Sequence, residues 1–308
     1  MSLPLDDENI RLGLIGAGAM GTPMAHRLRR ARASLVVHAR SARPDLAAAG
    51  IAVVHTPREL AARCDAVLVM VPDLPDLENA LVGDDGLLAG TGELLLLVGS
   101  TSSPTAVRDL ASRLRRDSAG RIRVADCPVS GGVDGATAGT LSIMIGGTDA
   151  DAAVAAALLA PCGTPVHLGP LGAGEVAKAC NQLVVAATIT ALGEASELAA
   201  RSGLDLDALW TLLAGGYAGS NLLASRKERL VAGDDSPSGA AKYMVKDLGF
   251  AADVARATGI RPALLPALQG VFAEIVDAGL GERDISVTRR LTGARHAAPA
   301  SAAADYAD

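Results

Sequence analysis

The tightest constraint on the fold lies between Arg11 and Leu28. "RLGLIGAGAM" is a short apolar run that breaks into glycines, and "MGTPMAHRLRRA" then sets Met20, Met24 and Leu28 four residues apart. A short apolar run bounded by glycine reads as a buried strand, and an i, i+4 stripe reads as one face of a helix. Gly16, Gly18 and Gly21 stand at the junction in G-x-G-x-x-G spacing. That spacing supplies a tight turn, a point where backbone can approach a pyrophosphate, and a close strand–helix contact, with the helix N-terminus facing the anion. Strand, glycine turn and helix in this order predict dinucleotide binding, with Ala19 and Met20 inside the contacting loop.

The same alternation continues. "LVVHAR", "AVLVMVP" and "LLLLVGS" are short apolar runs, separated by segments rich in Ala and Leu with helical character. Strands alternating with helices predict an α/β domain with a doubly wound, Rossmann-type parallel sheet covered on both faces. "RIRVADCP", "LSIMIGG" and "TPVHLG" extend that sheet. From Gly174 the character changes: "EVAKACNQLVVAATITALGEASELAARSG" reads as one long apolar helix ending at Gly203, and every later segment reads as helical. The expected organisation is a Rossmann domain over 1–170 and an all-α C-terminal domain over 171–293, joined by the long interdomain helix. A small, polar tail over 294–308 is expected to be disordered.

Composition removes several function classes. The chain has 308 residues, a net charge of −6 and only six aromatic side chains, with no stripe of Lys and Arg. A surface that tracks phosphates and stacks bases is therefore not expected. The N-terminus, "MSLPLDDENI", is acidic and lacks the apolar core of a signal peptide. The longest apolar runs are interrupted by Gly, Gln, Glu or Thr, so no membrane span is expected either. Cys64, Cys127, Cys162 and Cys180 are scattered without a C-x-x-C pair and read as buried thiols of a reducing, cytoplasmic compartment. No His/Cys/Asp cluster has the spacing of metal ligands, and His38 and His55, at strand ends, read as structural.

The cofactor's identity turns on the end of the second strand. An NAD site wants an acid there for the ribose 2′-OH. This chain has "HARSARP", with Arg40 and Arg43 where a 2′-phosphate would lie and Ser41 as a further donor. A planar guanidinium pairs with phosphate through two parallel donors. NADP is the expected cofactor, with NAD as the alternative.

Two further segments carry chemistry. "DCPVSGGVDGATAGTLSIMIGGT" places Ser130, Gly131 and Gly132 after a strand, where consecutive backbone N–H groups can form a small anion nest. Lys178 stands alone in a stretch of Ala, Val, Cys and Leu, so it must be paired, snorkelling or functional. Asn181 and Gln182, three and four residues on, share its helix face.

Together these motifs resemble the β-hydroxyacid dehydrogenases, the family that includes 3-hydroxyisobutyrate dehydrogenase and tartronate semialdehyde reductase. "GLIGAGAMGTPMAHRL" resembles the cofactor motif, "DCPVSGG" with "GATAGTLSIMIGG" the substrate segment, "STSSP" (Ser100 to Pro104) the loop beside the nicotinamide, "GAGEVAKACNQ" the catalytic helix, and "KDL" (Lys246 to Leu248) the helical-domain signature. The resemblance implies hydride transfer between NADP(H) and a 3-hydroxy carboxylate or its semialdehyde or ketone. It assigns Lys178 to acid–base catalysis, and Ser130, Gly131 and Gly132 to the substrate carboxylate. It gives Asn181 and Gln182 to orienting the substrate and holding the ammonium. Val71, Pro72, Thr101 and Lys246 go to the cofactor, with Asp247 expected to pair with a neighbouring base. It also implies a homodimer or homotetramer. One departure stands out: the family's aromatic residue seven positions before the Lys of "KDL" is Gly239 here, which implies a wider substrate pocket. Two other readings stay open, an imine reductase, which usually lacks the lysine, and a non-catalytic NADP-binding module.

Overall fold

The computed structural model describes residues 10–32, 34–90 and 92–295. The signal-peptide argument, apart from Ile10, and the disordered tail, apart from Ala294 and Arg295, lie outside these residues. Nine strands are present among them: β1 (Leu12–Ile15), β2 (Leu35–His38), β3 (Ala52–Val54), β4 (Ala66–Val69), β5 (Leu94–Val98), β6 (Ile122–Asp126), β7 (Val129–Ser130), β8 (Leu141–Gly146) and β9 (Gly163–Gly169). The first seven helices alternate with them: α1 (Gly21–Ala31), α2 (Pro44–Ala48), α3 (Pro57–Arg63), α4 (Leu74–Leu81), α5 (Pro104–Asp117), α6 (Gly132–Ala138) and α7 (Asp149–Leu159). Only helices and short turns follow, as α8 (Ala173–Arg201), α9 (Leu206–Ala214), α10 (Asn221–Ala232), α11 (Tyr243–Thr258), α12 (Leu265–Asp277) and α13 (Thr288–Ala294). The chain divides into two compact units. One holds residues 10–181 with 256–258, the other 182–255 with 259–295, so the division falls inside α8, between Asn181 and Gln182.

In the first unit the strands form one sheet in the order β3-β2-β1-β4-β5-β6-β8-β7, with β9 also paired to β8. From β3 to β6 every pairing is parallel. Beyond β6 the expected parallel pattern ends, because β8 runs antiparallel to both β6 and β7. Only Gly131–Thr140 link β7 to β8, and a parallel crossover needs about a dozen residues or more. β9 restores a parallel pairing with β8.

The side-chain period of two explains why these strands are apolar throughout. Leu95 and Leu97 of β5 join a core with Met24 and Leu28 of α1 and Leu158 of α7. Leu94, Leu96 and Val98 point the other way, into a core with Leu77 of α4 and Val107, Leu110 and Leu114 of α5. Both faces are covered, so neither can be polar. The long helix ends as expected before Gly203, whose φ of +73° suits a residue without a side chain.

Two expectations need correction. α8 is long and apolar enough, by length and composition alone, to cross a membrane. Isolated Gly, Gln, Glu and Thr residues do not break a helix, and a window spanning a bilayer averages over them. Core helices of globular proteins pass the same test, and the polar side chains early in α8 have protein partners, described below. Three thiols are buried as expected, but Cys180 is exposed. It lies two residues after the buried Lys178, a step of about 200° around a helix.

Candidate active site

The carboxyl ends of the parallel strands bring five segments of the first unit to one edge of the sheet, where open α/β sheets hold their ligands. The glycine loop follows β1. Gly16 has φ +97°, and a Cβ there would strike the Met70 carbonyl. A Cβ on Gly21 would strike the carbonyl of Gly16. These two glycines are required by the protein's own packing. Gly18 is different: a Cβ there would meet nothing within 4 Å, so its bareness leaves space for a ligand. Helices α3, α4, α5 and α7 each begin with a side-chain cap. α1 begins at Met20 with no side-chain cap and no acid in its first turn. Its leading N–H groups suit an anion, and the loop of Gly16, Gly18, Ala19, Met20 and Gly21 therefore fits a pyrophosphate.

The donors at the end of β2 do not stand alike. Arg40 and Ser41 are exposed. Arg43 is already engaged: its Nη1 donates to the Ala17 carbonyl, its Nη2 to Thr22 Oγ1 at 2.9 Å, and its fork grips Asp45. The guanidinium holds the Asp45 carboxyl down at about 2. Arg43 thus braces the glycine loop, which leaves Arg40 and Ser41 as the exposed donors. His55 Nδ1 lies 3.3 Å from the Ala39 carbonyl, in keeping with a structural role.

After β4 come Val71 and Pro72, and after β5 the Ser100–Pro104 loop with Thr101. Ser100 is buried, and its Oγ accepts from the Val71 N–H at 3.0 Å, tying the two segments together. After β6 come Cys127, Pro128 and the short β7. Ser130 ends β7, and Gly131 and Gly132 follow with φ +132° and +63°. Both glycines are exposed. Positive φ at both positions favours glycine there.

α8 enters beside these segments. Asp126, the last residue of β6, is fully buried. Its Oδ1 accepts from the N–H of Gly172 at 2.7 Å and its Oδ2 from the N–H of Glu175 at 2.8 Å. An acid from the sheet therefore satisfies the opening N–H groups of the helix. Burial pushes its pKa up while these N–H groups pull it down. Glu175 is 1 % exposed and accepts from both the N–H of Ser102, at 3.1 Å, and its hydroxyl, at 2.9 Å. Lys178 is 7 % exposed, and its Nζ donates to the Val129 carbonyl at 2.8 Å. The ammonium is thereby fixed one residue before Ser130. Asp126, Glu175 and Ser102 were not singled out from sequence. An acid inside the apolar run "GAGEVAKAC" is as anomalous as Lys178, and that signal could have found Glu175.

The remaining candidates belong to the second unit. Gln182 begins it on α8 and turns its amide to Asp247 Oδ2 at 2.6 Å and toward Met244 Sδ at 3.5 Å, both on α11. The acid of "KDL" thus has an amide among its partners. Lys246 lies 6.0 Å from the Tyr243 ring centre and 5.9 Å from that of Phe250. Gly239 lies before α11, and a Cβ there would meet nothing within 4 Å. Among the described residues, no three His, Cys, Asp or Glu side chains are placed to hold a metal ion.

Comparison with known proteins covers both halves of the chain. Residues 11–172 match the NAD-binding domain of 6-phosphogluconate dehydrogenase, and residues 172–292 match the NAD-binding domain of NADP-dependent 3-hydroxyisobutyrate dehydrogenase. A mitochondrial 3-hydroxyisobutyrate dehydrogenase-like protein of Arabidopsis thaliana is 34 % identical over 94 % of this chain and 90 % of its own. An NAD-dependent L-serine dehydrogenase of Pseudomonas aeruginosa is 33 % identical over 91 % of this chain and 97 % of its own. The crystal structure of a 3-hydroxyisobutyrate dehydrogenase from Salmonella typhimurium superposes with a TM-score of 0.82 at 28 % identity, covering 92 % of this chain and all of that one. With both halves matched in order and the relatives aligned over nearly their whole length, the chain belongs to the β-hydroxyacid dehydrogenase family.

Proposed function

We propose that this protein is an NADP-preferring dehydrogenase of 3-hydroxy carboxylates, with Lys178 as its general acid and base. The observation that carries the reading is the fixed ammonium of Lys178 on the Val129 carbonyl, beside the Ser130–Gly132 turn. A substrate whose carboxylate rests on that turn brings its hydroxyl toward the lysine. The nicotinamide, when bound, supplies the hydride acceptor in its oxidised form and the donor in its reduced form. In the oxidative direction the neutral amine of Lys178 takes the hydroxyl proton while the hydride leaves the carbinol carbon, giving a semialdehyde or ketone. In reduction the ammonium returns that proton to the carbonyl oxygen. The glycine loop and the uncapped start of α1 suit the pyrophosphate; Val71, Pro72 and Thr101 line the same sheet edge. Arg40 and Ser41 support the preference for NADP, since they stand exposed where an acid would favour NAD. Lys178 also argues against the imine-reductase reading, and no basic or reader segment supports a non-catalytic module.

A steady-state screen of 3-hydroxy acids and their methyl esters with both cofactors tests the reading. Free acids with NADP are expected to be turned over at least tenfold better than the esters, because the charge-assisted contact at the turn is lost on esterification. Arg40→Ala is expected to weaken NADP by about 1.5–3 kcal/mol with little change for NAD. Esters used as well as acids, or equal weakening of both cofactors, would overturn the corresponding assignment.

The homo-oligomer and the cytoplasmic setting also remain our inference. Val184 and Leu198 on α8 are 64 % and 68 % exposed, with exposed Ala191 midway, so the stripe repeats every seven residues. Such a stripe fits another helix. Light scattering is expected to give at least a dimer, and Leu198→Glu a smaller species. The four unpaired thiols support a reducing compartment.

A further inference from the structure

Three functional segments of the first unit meet at one buried acid. Glu175 lies in the first turn of α8, three residues before Lys178, and is among the least exposed charged side chains described. It reaches across to the loop after β5, where its Oε2 faces the Ser102 N–H at 3.1 Å and its Oε1 the Ser102 hydroxyl at 2.9 Å. Its own N–H is held by Asp126, the residue that ends β6 and leads into the Ser130–Gly132 turn. We propose that Glu175 is a positioning residue: its double contact with Ser102 locks the Ser100–Pro104 loop to the turn of α8 that presents Lys178, and it does so as a neutral carboxyl. The proposal rests on the functional reading above, in which that loop lies beside the nicotinamide.

The geometry specifies how a neutral carboxyl is accommodated. Oε2 faces an N–H and must accept. Oε1 faces a hydroxyl, which can donate or accept. A proton on Oε1 is then donated to Ser102 Oγ, and the clamp keeps both contacts. The charges around it favour that form. Burial raises the Glu175 carboxyl to about 8, with the two Ser102 contacts opposing, the Asp126 carboxylate adding to the rise and the Lys178 ammonium opposing it less. Cys127, the other titratable group facing it, is fully enclosed, and burial drives its thiol far up, so it stays neutral throughout. Glutamine reproduces the proposed form: its carbonyl accepts from the Ser102 N–H and its amide donates to Oγ.

Linkage fixes the sign of the pH effect. The folded protein keeps the Glu175 proton up to about pH 8, whereas the unfolded chain releases it near the ordinary value of 4.5. The folded state holds more protons between those limits. Stability from this group is therefore complete below the lower value and is lost as pH rises through the upper one.

The test uses the full-length protein, wild type beside Glu175→Gln, Glu175→Ala, Ser102→Ala and the double alanine variant. Melting temperatures of the cofactor-free proteins between pH 6 and 9.5 are expected to fall for wild type and to stay level for Glu175→Gln. Glu175→Gln should keep kcat and the NADPH Kd within about threefold at pH 7, and retain its rate above pH 8 where wild type declines. Each single alanine variant should raise the Kd for NADPH, read by fluorescence, about tenfold. The double variant should be no worse than the weaker single. Parallel melting curves, or loss of activity in Glu175→Gln at pH 7, would overturn the neutral form. Additive effects of Ser102→Ala and Glu175→Ala would overturn the clamp. The melting curves need no turnover, so they judge Glu175 separately; a wild-type protein that binds NADPH but oxidises no hydroxy acid would sink the functional reading alone.

Discussion

Lys178→Ala is expected to lower kcat by about a hundredfold or more, the scale of a lost general acid–base, while NADPH binding stays within about twofold. The lysine is almost enclosed, and its ammonium contacts the Val129 carbonyl, so truncation also removes packing and one buried hydrogen bond. Lys178→Met separates the two effects, because it keeps much of the apolar stem and removes the charge. Both variants should lose turnover alike, with Lys178→Met the more stable. Kinetics run beside a fluorescence titration with NADPH and a melting curve reads all three quantities. Turnover within tenfold of wild type in either variant would remove Lys178 from the chemistry.

The second large effect falls on stability. Asp126→Ala strips acceptors from the N–H groups of Gly172 and Glu175, at the start of α8 and with no solvent to replace them. Leaving buried donors unsatisfied costs about 1–3 kcal/mol each, so a loss of about 3 kcal/mol is expected in denaturant unfolding. Asp126→Asn should lose less, since its carbonyl can still serve one of the two. A change below about 0.5 kcal/mol in Asp126→Ala would mean that the helix start finds other partners. On the proposed reading the cost has a functional side, because the first two turns of α8 carry Glu175 and Lys178.

The Rossmann half was legible because every local signal agreed. Apolar runs with both faces buried, glycines at fixed spacing and a helical stripe in Met24 and Leu28 all specify one topology. The antiparallel return at β7 and β8 was not legible, since it depends on the length of a connection and not on the composition of either strand. In the site, Lys178 announced itself as a charge in an apolar helix, and Gly131 and Gly132 as backbone freedom after a strand. Asp126 did not, because an acid at the end of a strand is ordinary until its partners are known. Arg43 looked equivalent to Arg40 by position; only the fold reveals that Asp45 and the Ala17 carbonyl hold it. Gln182 shares a helix face with Lys178, and its contact with Asp247 is likewise visible only in the fold.

The niche around Asp126 has a consequence for how this protein can vary. A Cβ on Gly146 would run into Asp126 Oδ1, and one on Gly174 would lie 2.8 Å from Oδ2 and collide with the Met144 carbonyl. The carboxyl group occupies the room that two missing side chains leave. These three positions, far apart in sequence, are therefore coupled: a methyl group at 146 or 174 runs into the acid, and also into backbone, the Ala173 nitrogen at 146 and the Met144 carbonyl at 174, so a smaller residue at 126 alone does not make room. Directed evolution that randomises them singly will sample only losses. A useful library would leave all three untouched and place its diversity elsewhere, because backbone as well as the carboxyl excludes a side chain at 146 and 174.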